Sequence, residues 1–456
     1  MKRERLDGLI FLLFGSVIFI LVSIAMERSA TATVIDFKAV YYGARCLLQH
    51  ADPYRESEML RVYRAEGGDR MSDAAPLRRL VAVYINLPTG LILIAPLALL
   101  PWAWAHALWI ALIALSIVLG ACLMWNLAAD HAPIMAGVLI CFFLLTSIML
   151  TDVANTAGVV VGLCAVAVWC FLKGRFVPAG ILCFAVSLAI KPHVAGLIWL
   201  YFLLAGGLCR KRALQTLVVT IVLGLPGVLW VSYVAPHWMS ELHSNLTATS
   251  ARSDINDPGP TSASRDTPDS IVDLQTVISV FLDDPRIYNP ASYLFCVPLL
   301  LVWVLATLRS RFSPATAWLA LAAIAPLAML PLYHRQDDAR LLLLTIPACA
   351  MLWAERGVVG WSALAVTAAG LVANGDTPSA ARIWLSRPLL AAAQGLTGEI
   401  LTEVLARPVP LVLLVIGVFY LWIYVRRGRG LASSNAARMP EEAPIAVALV
   451  ESDKRS

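Results

Sequence analysis

Residues 9–26 read LIFLLFGSVIFILVSIAM, and the first markedly polar stretch after them is Asp36-Phe37-Lys38-Ala39-Val40-Tyr41-Tyr42-Gly43-Ala44-Arg45, closed by Asp52-Pro53-Tyr54. An apolar run close to the roughly 20 residues that a bilayer crossing needs reads as a transmembrane helix. A basic start (Lys2, Arg3, Arg5) gives it the look of a signal peptide, but it lacks a small-x-small cleavage site, so it is read as an uncleaved first helix. Asp36 then falls about where that helix leaves the membrane. A carboxylate there is costly unless it is paired, hydrated or used.

The rest of the chain repeats the first signal. Of 456 residues, 59% are hydrophobic and only 14% charged, against roughly 25% charged in soluble proteins. Apolar runs lie near 8–26, 133–150, 157–172, 177–190, 192–208, 213–234, 291–308, 314–333, 340–354, 357–373 and 408–425, with two more inside 82–125 broken at Pro101. The reading is an all-α polytopic integral membrane protein with about 12 transmembrane helices. The net charge of +5 is topology signal rather than a nucleic-acid footprint, since no basic patch is interleaved with aromatics. The nine cysteines contain no C-x-x-C and support neither a disulfide framework nor a zinc site.

Sidedness follows from the basic clusters Lys2/Arg3/Arg5, Lys173/Arg175, Arg210/Lys211/Arg212, Arg309/Arg311 and Arg426/Arg427/Arg429. If all five face the cytoplasm, both termini are cytoplasmic and nearly every other polar joint falls on the far face. Parity then requires an odd number of crossings within 82–125, with Tyr84–Leu100 dipping in and returning. The core domain is taken as residues 1–430. It includes a first external loop at 27–80 and a mobile external loop at 235–290; residues 431–456 are read as a disordered cytoplasmic tail. Within the first loop, Asp36, Val40, Gly43 and Leu47 share a face at helical spacing, which suggests an amphipathic helix on the membrane surface ended by Pro53. Trp102, Trp104, Trp109 and Trp125 read as an interfacial belt.

The pattern Asp-Phe-x-x-Tyr-Tyr-x-Ala, then Leu-Leu and Asp-Pro-Tyr, just after a first transmembrane helix, resembles the polyprenyl-phosphate-mannose-dependent mannosyltransferases of glycosyltransferase family 87. Leu87-Pro88 with Ala95-Pro96-Leu97-Ala98-Leu99-Leu100-Pro101, Lys191-Pro192-His193, Leu274-Gln275, and Tyr333-His334-Arg335-Gln336-Asp337-Asp338-Ala339 are similar to further family positions. The chain departs from the family pattern at Asn86-Leu87-Pro88, where a double proline is usual, and at Asp152-Val153-Ala154-Asn155, where Gly-Gln-x-Asn is common.

The resemblance implies a C-type (GT-C) membrane glycosyltransferase of a bacterial inner membrane, acting on its periplasmic face. Its donor would be a polyprenyl-phosphate sugar, its acceptor a glycolipid or envelope glycan, and its surroundings membrane lipid, with no nucleic acid involved. Asp36 is the implied catalytic base, and the chemistry asks for one independently, because a hydroxyl is a poor nucleophile until a carboxylate takes its proton. The phosphate leaving group needs positive charge; Lys191, His193 and Arg335 are the candidates, with His334 a second catalytic candidate. Tyr41, Tyr42, Asp152, Asn155 and Gln275 are candidate substrate-lining residues. No cofactor and no metal are called for.

Each assignment has a plainer alternative. Asp36 could cap its helix, and Lys191 could snorkel to the headgroups. His193 could be structural, and His334 and Arg335 could meet lipid headgroups. Tyr41 and Tyr42 could anchor at the interface, while Asp152 and Asn155 could cap a helix. Asp337 and Asp338 are read as ion-pair partners of Arg335 and Arg340 rather than metal ligands. The rival class is a multispan secondary transporter of an envelope precursor, which should show internal repeats and mid-membrane charges.

Overall fold

The computed structural model describes residues 2–29, 35–66, 81–262, 271–392, 395, 398, 400–401 and 407–436. Its named elements are helices, and the sole extended pairing among the described residues is an isolated antiparallel bridge between Ile271 and Arg335. In chain order the helices are α1 (Lys2–Ser29), α2 (Ile35–Leu48), α3 (Glu56–Ala65), α4 (Pro88–Ala98), α5 (Trp102–Ala128), α6 (Pro133–Leu145) and α7 (Met149–Asp152). Then come α8 (Thr156–Lys173), α9 (Val177–Ile190), α10 (Pro192–Leu204), α11 (Gly207–Val234), α12 (Trp238–Thr249), α13 (Leu274–Phe281) and α14 (Pro285–Arg309). Last are α15 (Pro314–Leu327), a 3-10 helix (Asp338–Thr345) leading into α16 (Ile346–Ala354), α17 (Gly357–Asn374), α18 (Asp376–Ala392) and α19 (Val409–Ala436).

Eight described segments are long and apolar enough to cross a bilayer: α1, α5, the α6–α7 stretch, α8, α11, α14, α17 and the first part of α19. Helices α4, α9, α10 and α15 are apolar but shorter. The stretch at 82–125 resolves into one long helix, α5, preceded by α4. With 11 residues, α4 rises only about 16 Å against a hydrocarbon core of about 30 Å. It packs beside the tip of α9, where Thr89 Oγ1 donates to the Ala189 carbonyl at 2.6 Å.

Packing in the bundle follows the rule for apolar surroundings, where small residues let backbones approach. Helices α1 and α6 cross at Gly8 and Gly137. A Cβ on Gly8 would stand 2.3 Å from the Pro133 carbonyl oxygen, and one on Gly137 2.3 Å from that of Gly8. Hydroxyls inside the bundle are satisfied along their own helices, as with Ser16 and Ser23 bonding to Leu12 and Phe19 carbonyls at 2.8 and 2.7 Å.

Ion pairs gather the basic clusters at one end. Arg5 pairs with Asp130, Lys173 Nζ lies 3.9 Å from the same carboxylate, and Arg212 Nη1 donates to the Phe171 carbonyl at 2.6 Å. Arg427 pairs with Glu355, and Gly428 approaches Ser310. A cavity of about 540 Å³ at this end has Glu4, His131, Trp353 and Arg356 in its wall.

The expectations for α2 and for the tryptophans change here. Helix α2 does not turn its Asp36, Val40, Gly43 and Leu47 face to lipid: Val40 and Leu47 are buried, and a Cβ on Gly43 would stand 3.0 Å from the Tyr84 ring. It is covered instead by an aromatic cluster, with Phe37 stacked on Trp109 at 5.1 Å, Tyr41 edge-on to Trp102 at 5.2 Å and Tyr42 edge-on to Tyr63 at 4.9 Å. Trp109 is not a belt residue, and Trp102 is half-buried against Phe37 and His106. Trp109 is buried and donates to the Ala154 carbonyl, while Trp104 is exposed. The segment 235–290 contains α12 and α13, and Asn245 Nδ2 ties α12 to the Tyr54 and Tyr84 carbonyls at 2.9 and 3.0 Å. Residues 263–270 of that segment, 67–80 of the first loop and 437–456 of the tail lie outside the described residues, and α19 runs into the tail as far as Ala436.

Candidate active site

The site is built where apolar helices stop. Lys191 stands between α9 and α10 because Pro192 disfavours helical geometry in the residue before it and starts the next helix. Neither arm of that hairpin, at 14 and 13 residues, rises more than about 21 Å, less than the roughly 30 Å of a hydrocarbon core. Asn155 stands at the α7–α8 joint. The residue before it, Ala154, has φ 53°, a left-handed conformation unusual for a residue with a side chain. The Trp109 indole bond to the Ala154 carbonyl at 3.0 Å holds that turn. Asp36 lies in the first turn of α2, at the end of the helix dipole that favours an anion.

These joints meet in one chain of hydrogen bonds. Asn155 Nδ2 donates to Asp36 Oδ2 at 2.6 Å, while Asn155 Oδ1 accepts from Lys191 Nζ at 3.1 Å and from the Ala157 amide at 2.8 Å. With two donors on its oxygen, the amide can only turn its NH₂ toward the carboxylate. Lys191 Nζ also donates to Asp338 Oδ1 at 2.8 Å, and the Arg335 amide donates to Asp338 Oδ2 at 3.2 Å. The side chains of Lys191 and Asp338 are 14% and 2% exposed. A buried pair of this kind is a poor source of stability, but removing either partner strands a charge.

Two imidazoles adjoin this chain. His193, in the first turn of α10, has its ring 5.1 Å from that of His334. His334 is 1% exposed. Its Nδ1 is 2.9 Å from the Leu332 carbonyl, and its Nε2 is buried with no hydrogen-bond partner among the described residues. The segment carrying it is fixed by the Val272 amide bonding to the His334 carbonyl at 2.9 Å.

Asp36, Asn155, Lys191, His193 and His334 are therefore brought together, as the sequence reading grouped them. Lys191 does not snorkel, since its ammonium is held inward. Asn155 is both a helix cap and a link in the chain, so those two readings were not exclusive.

Others are placed elsewhere. The Arg335 guanidinium bonds to Tyr333 Oη at 2.6 Å and Asn256 Oδ1 at 3.0 Å, which draws it toward the 255–256 turn. Tyr41 and Tyr42 are buried in the aromatic cluster, with Tyr41 Oη donating to the Leu100 carbonyl at 2.8 Å. Gln275 is buried in α13, whose N-cap is Asp273, and Asp152 closes the short helix α7. The expected pairing of Asp338 with an arginine side chain is corrected: its side-chain partner is Lys191, and Arg340 pairs with Asp376. Sequence could not choose among neighbouring cations, because the choice depends on which helix ends converge. Asp52 of the Asp-Pro-Tyr motif is a buried loop carboxyl whose Oδ1 accepts from the Tyr54 amide at 2.9 Å; burial, followed by a hydrogen bond shared with Glu241, pushes it up to about 6.

Comparison with known proteins adds two findings. Residues 84–265 match the model of glycosyltransferase family 87. The match takes in Asn155, Lys191 and His193 and ends short of Asp36 on one side and His334 on the other. Among solved structures, the chain is similar to that described as the crystal structure of ArnT from Cupriavidus metallidurans bound to undecaprenyl phosphate, at 14% identity and a TM-score of 0.36, over 92% of this chain and 79% of that one. No curated protein sequence matches the chain.

Proposed function

We propose that this protein is a membrane glycosyltransferase of the C type that moves a hexose, by its motifs a mannose, from a polyprenyl phosphate to a lipid-linked or envelope glycan. The observation that carries this reading is the chain Asp36–Asn155–Lys191–Asp338, in which a carboxylate and an ammonium are joined through one amide at the end of an apolar bundle opposite the basic clusters. The family match over residues 84–265 supports the same class of reaction.

In this mechanism the acceptor hydroxyl is bound within reach of Asp36, which takes its proton as the oxygen attacks the anomeric carbon. The bond from that carbon to the phosphate oxygen breaks, and the electron pair leaves with polyprenyl phosphate. Attack opposite the leaving group inverts the anomeric carbon, so a β-linked mannosyl phosphate gives an α-mannoside. Lys191 meets the phosphate charge that grows as the bond breaks, with His193 and His334 beside it. The donor arrives in the lipid, so the reaction needs neither a nucleotide site nor an organic cofactor.

The test uses purified full-length protein in detergent with radiolabelled polyprenyl-phosphate mannose and a membrane lipid extract. Transfer by wild type, with at least about a 100-fold loss in a folded Asp36→Asn variant, is the expected result. Transfer surviving in Asp36→Asn would remove Asp36 as the base. Failure of wild type with every sugar in a panel of lipid-phosphate donors would remove the reading itself.

A further inference from the structure

His334 presents an unexplained atom. Its Nδ1 lies 2.9 Å from the Leu332 carbonyl, an acceptor only, so Nδ1 carries the proton of the neutral ring and Nε2 carries a lone pair. That nitrogen is buried, on a side chain 1% exposed, and has no partner among the described residues. A buried acceptor left unmade costs about 1–3 kcal/mol and calls for a reason. Two further donor groups stand beside the ring: one ligand atom each from His193, His334 and Asp338 can be chosen so that all lie within 4.8 Å of one another.

The surroundings of these three groups are those of metal ligands. A ligating imidazole commonly donates its other N–H to a carbonyl, and a ligating carboxylate is itself hydrogen-bonded. Here the Leu332 carbonyl serves His334, while Lys191 Nζ and the Arg335 amide serve the two oxygens of Asp338. The ammonium of Lys191 would repel a nearby cation, but Asp36 and Asp337 act on it as well as Asp338, which offsets that repulsion. Bonds of about 2.0–2.1 Å put tetrahedral ligand atoms roughly 3.3 Å apart. The cluster must therefore close by up to about 1.5 Å, and His193, on the first turn of α10, is the one of the three residues that is not buried.

We propose that His193, His334 and Asp338 form a binding site for a divalent metal ion of the zinc class, held by two imidazoles and one carboxylate. The donor set suits a borderline ion more than magnesium or calcium, which prefer all-oxygen shells. Three protein ligands leave one coordination position open, as in sites where a metal meets a substrate. Resting on the transferase reading above, that position is where an oxygen of the donor phosphate binds, and the metal adds its charge to that of Lys191.

The experiment reads binding alone. Full-length protein, its affinity tag removed and stripped with chelator, is titrated in detergent with Zn²⁺ and separately with Co²⁺. The expected result is one equivalent bound, with the strong visible absorption of four-coordinate Co²⁺, displaced by Zn²⁺ and unmoved by excess Mg²⁺. His193→Ala carries the test, because an exposed side chain can be removed without opening a cavity; a folded variant should lose the Co²⁺ bands. No stoichiometric binding to wild type, or bands unchanged in His193→Ala, overturns the site, and a water on His334 Nε2 then accounts for the orphan atom. Neither donor nor acceptor is present, so a null result here leaves the transferase reading standing, and failure of transfer leaves a metal result standing.

Discussion

Asn155 is where two roles meet in one side chain. Its oxygen caps α8 through the Ala157 amide and receives Lys191, and its NH₂ faces Asp36. A hydrogen bond donated to a carboxylate favours the ionised form and thereby the form able to act as a base. Asn155→Asp keeps the cap acceptor but removes the donor and sets a like charge against Asp36. Transfer at neutral pH should fall at least about 10-fold, and the acid limb of the kcat/KM profile should move to higher pH. A profile that keeps its wild-type limb while activity drops would reduce Asn155 to a structural cap. The candidate residues were legible in the sequence because each is a polar group where an apolar run ends. Their partners were not, since Lys191 and Asp338 are separated by some 147 positions and nothing local distinguishes Asp338 from Asp337.

Among elements, the length of the apolar runs located the helices, but what covers each face was decided by its neighbours. The face of α2 that looked suited to lipid is covered at Gly43 by Tyr84 and Leu91, while Phe37 and Tyr42 pack on Trp102, Trp109 and Tyr63. Aromatic rings suit a lipid interface and a protein interface equally well, so their presence alone does not choose. The α1–α6 crossing is different, because its geometry admits only glycine. Gly137→Val would press its side chain against the Gly8 carbonyl and force the helices apart, which typically costs about 1–3 kcal/mol. A lower thermal-unfolding midpoint in detergent should result. An unchanged midpoint would mean that the two helices are not in contact there.

At the scale of the molecule, the two ends differ in chemistry. Arg5, Lys173, Arg212 and Arg427 meet carboxylates and carbonyls at one end, and the Asp36–Asp338 chain lies at the other. By the positive-inside tendency the basic end is proposed to be cytoplasmic, with the site outside. A membrane-impermeant maleimide should label Ser250→Cys in intact spheroplasts, and Arg175→Cys only after permeabilisation; both positions are exposed. The opposite pattern would reverse the orientation. The sequence by itself determined the helical membrane class, the placement of the apolar segments and the separation of basic clusters from the other polar joints, because hydrophobic length and charge are local properties of the chain. Only the tertiary structure decided that α2 is buried, that Lys191 rather than an arginine holds Asp338, and that His334, its ring beside that of His193, keeps a buried nitrogen with no partner among the described residues. Those outcomes depend on which helix ends converge, and convergence arises from long-range packing of small residues and of hydrogen-bonding groups that have no other solvent.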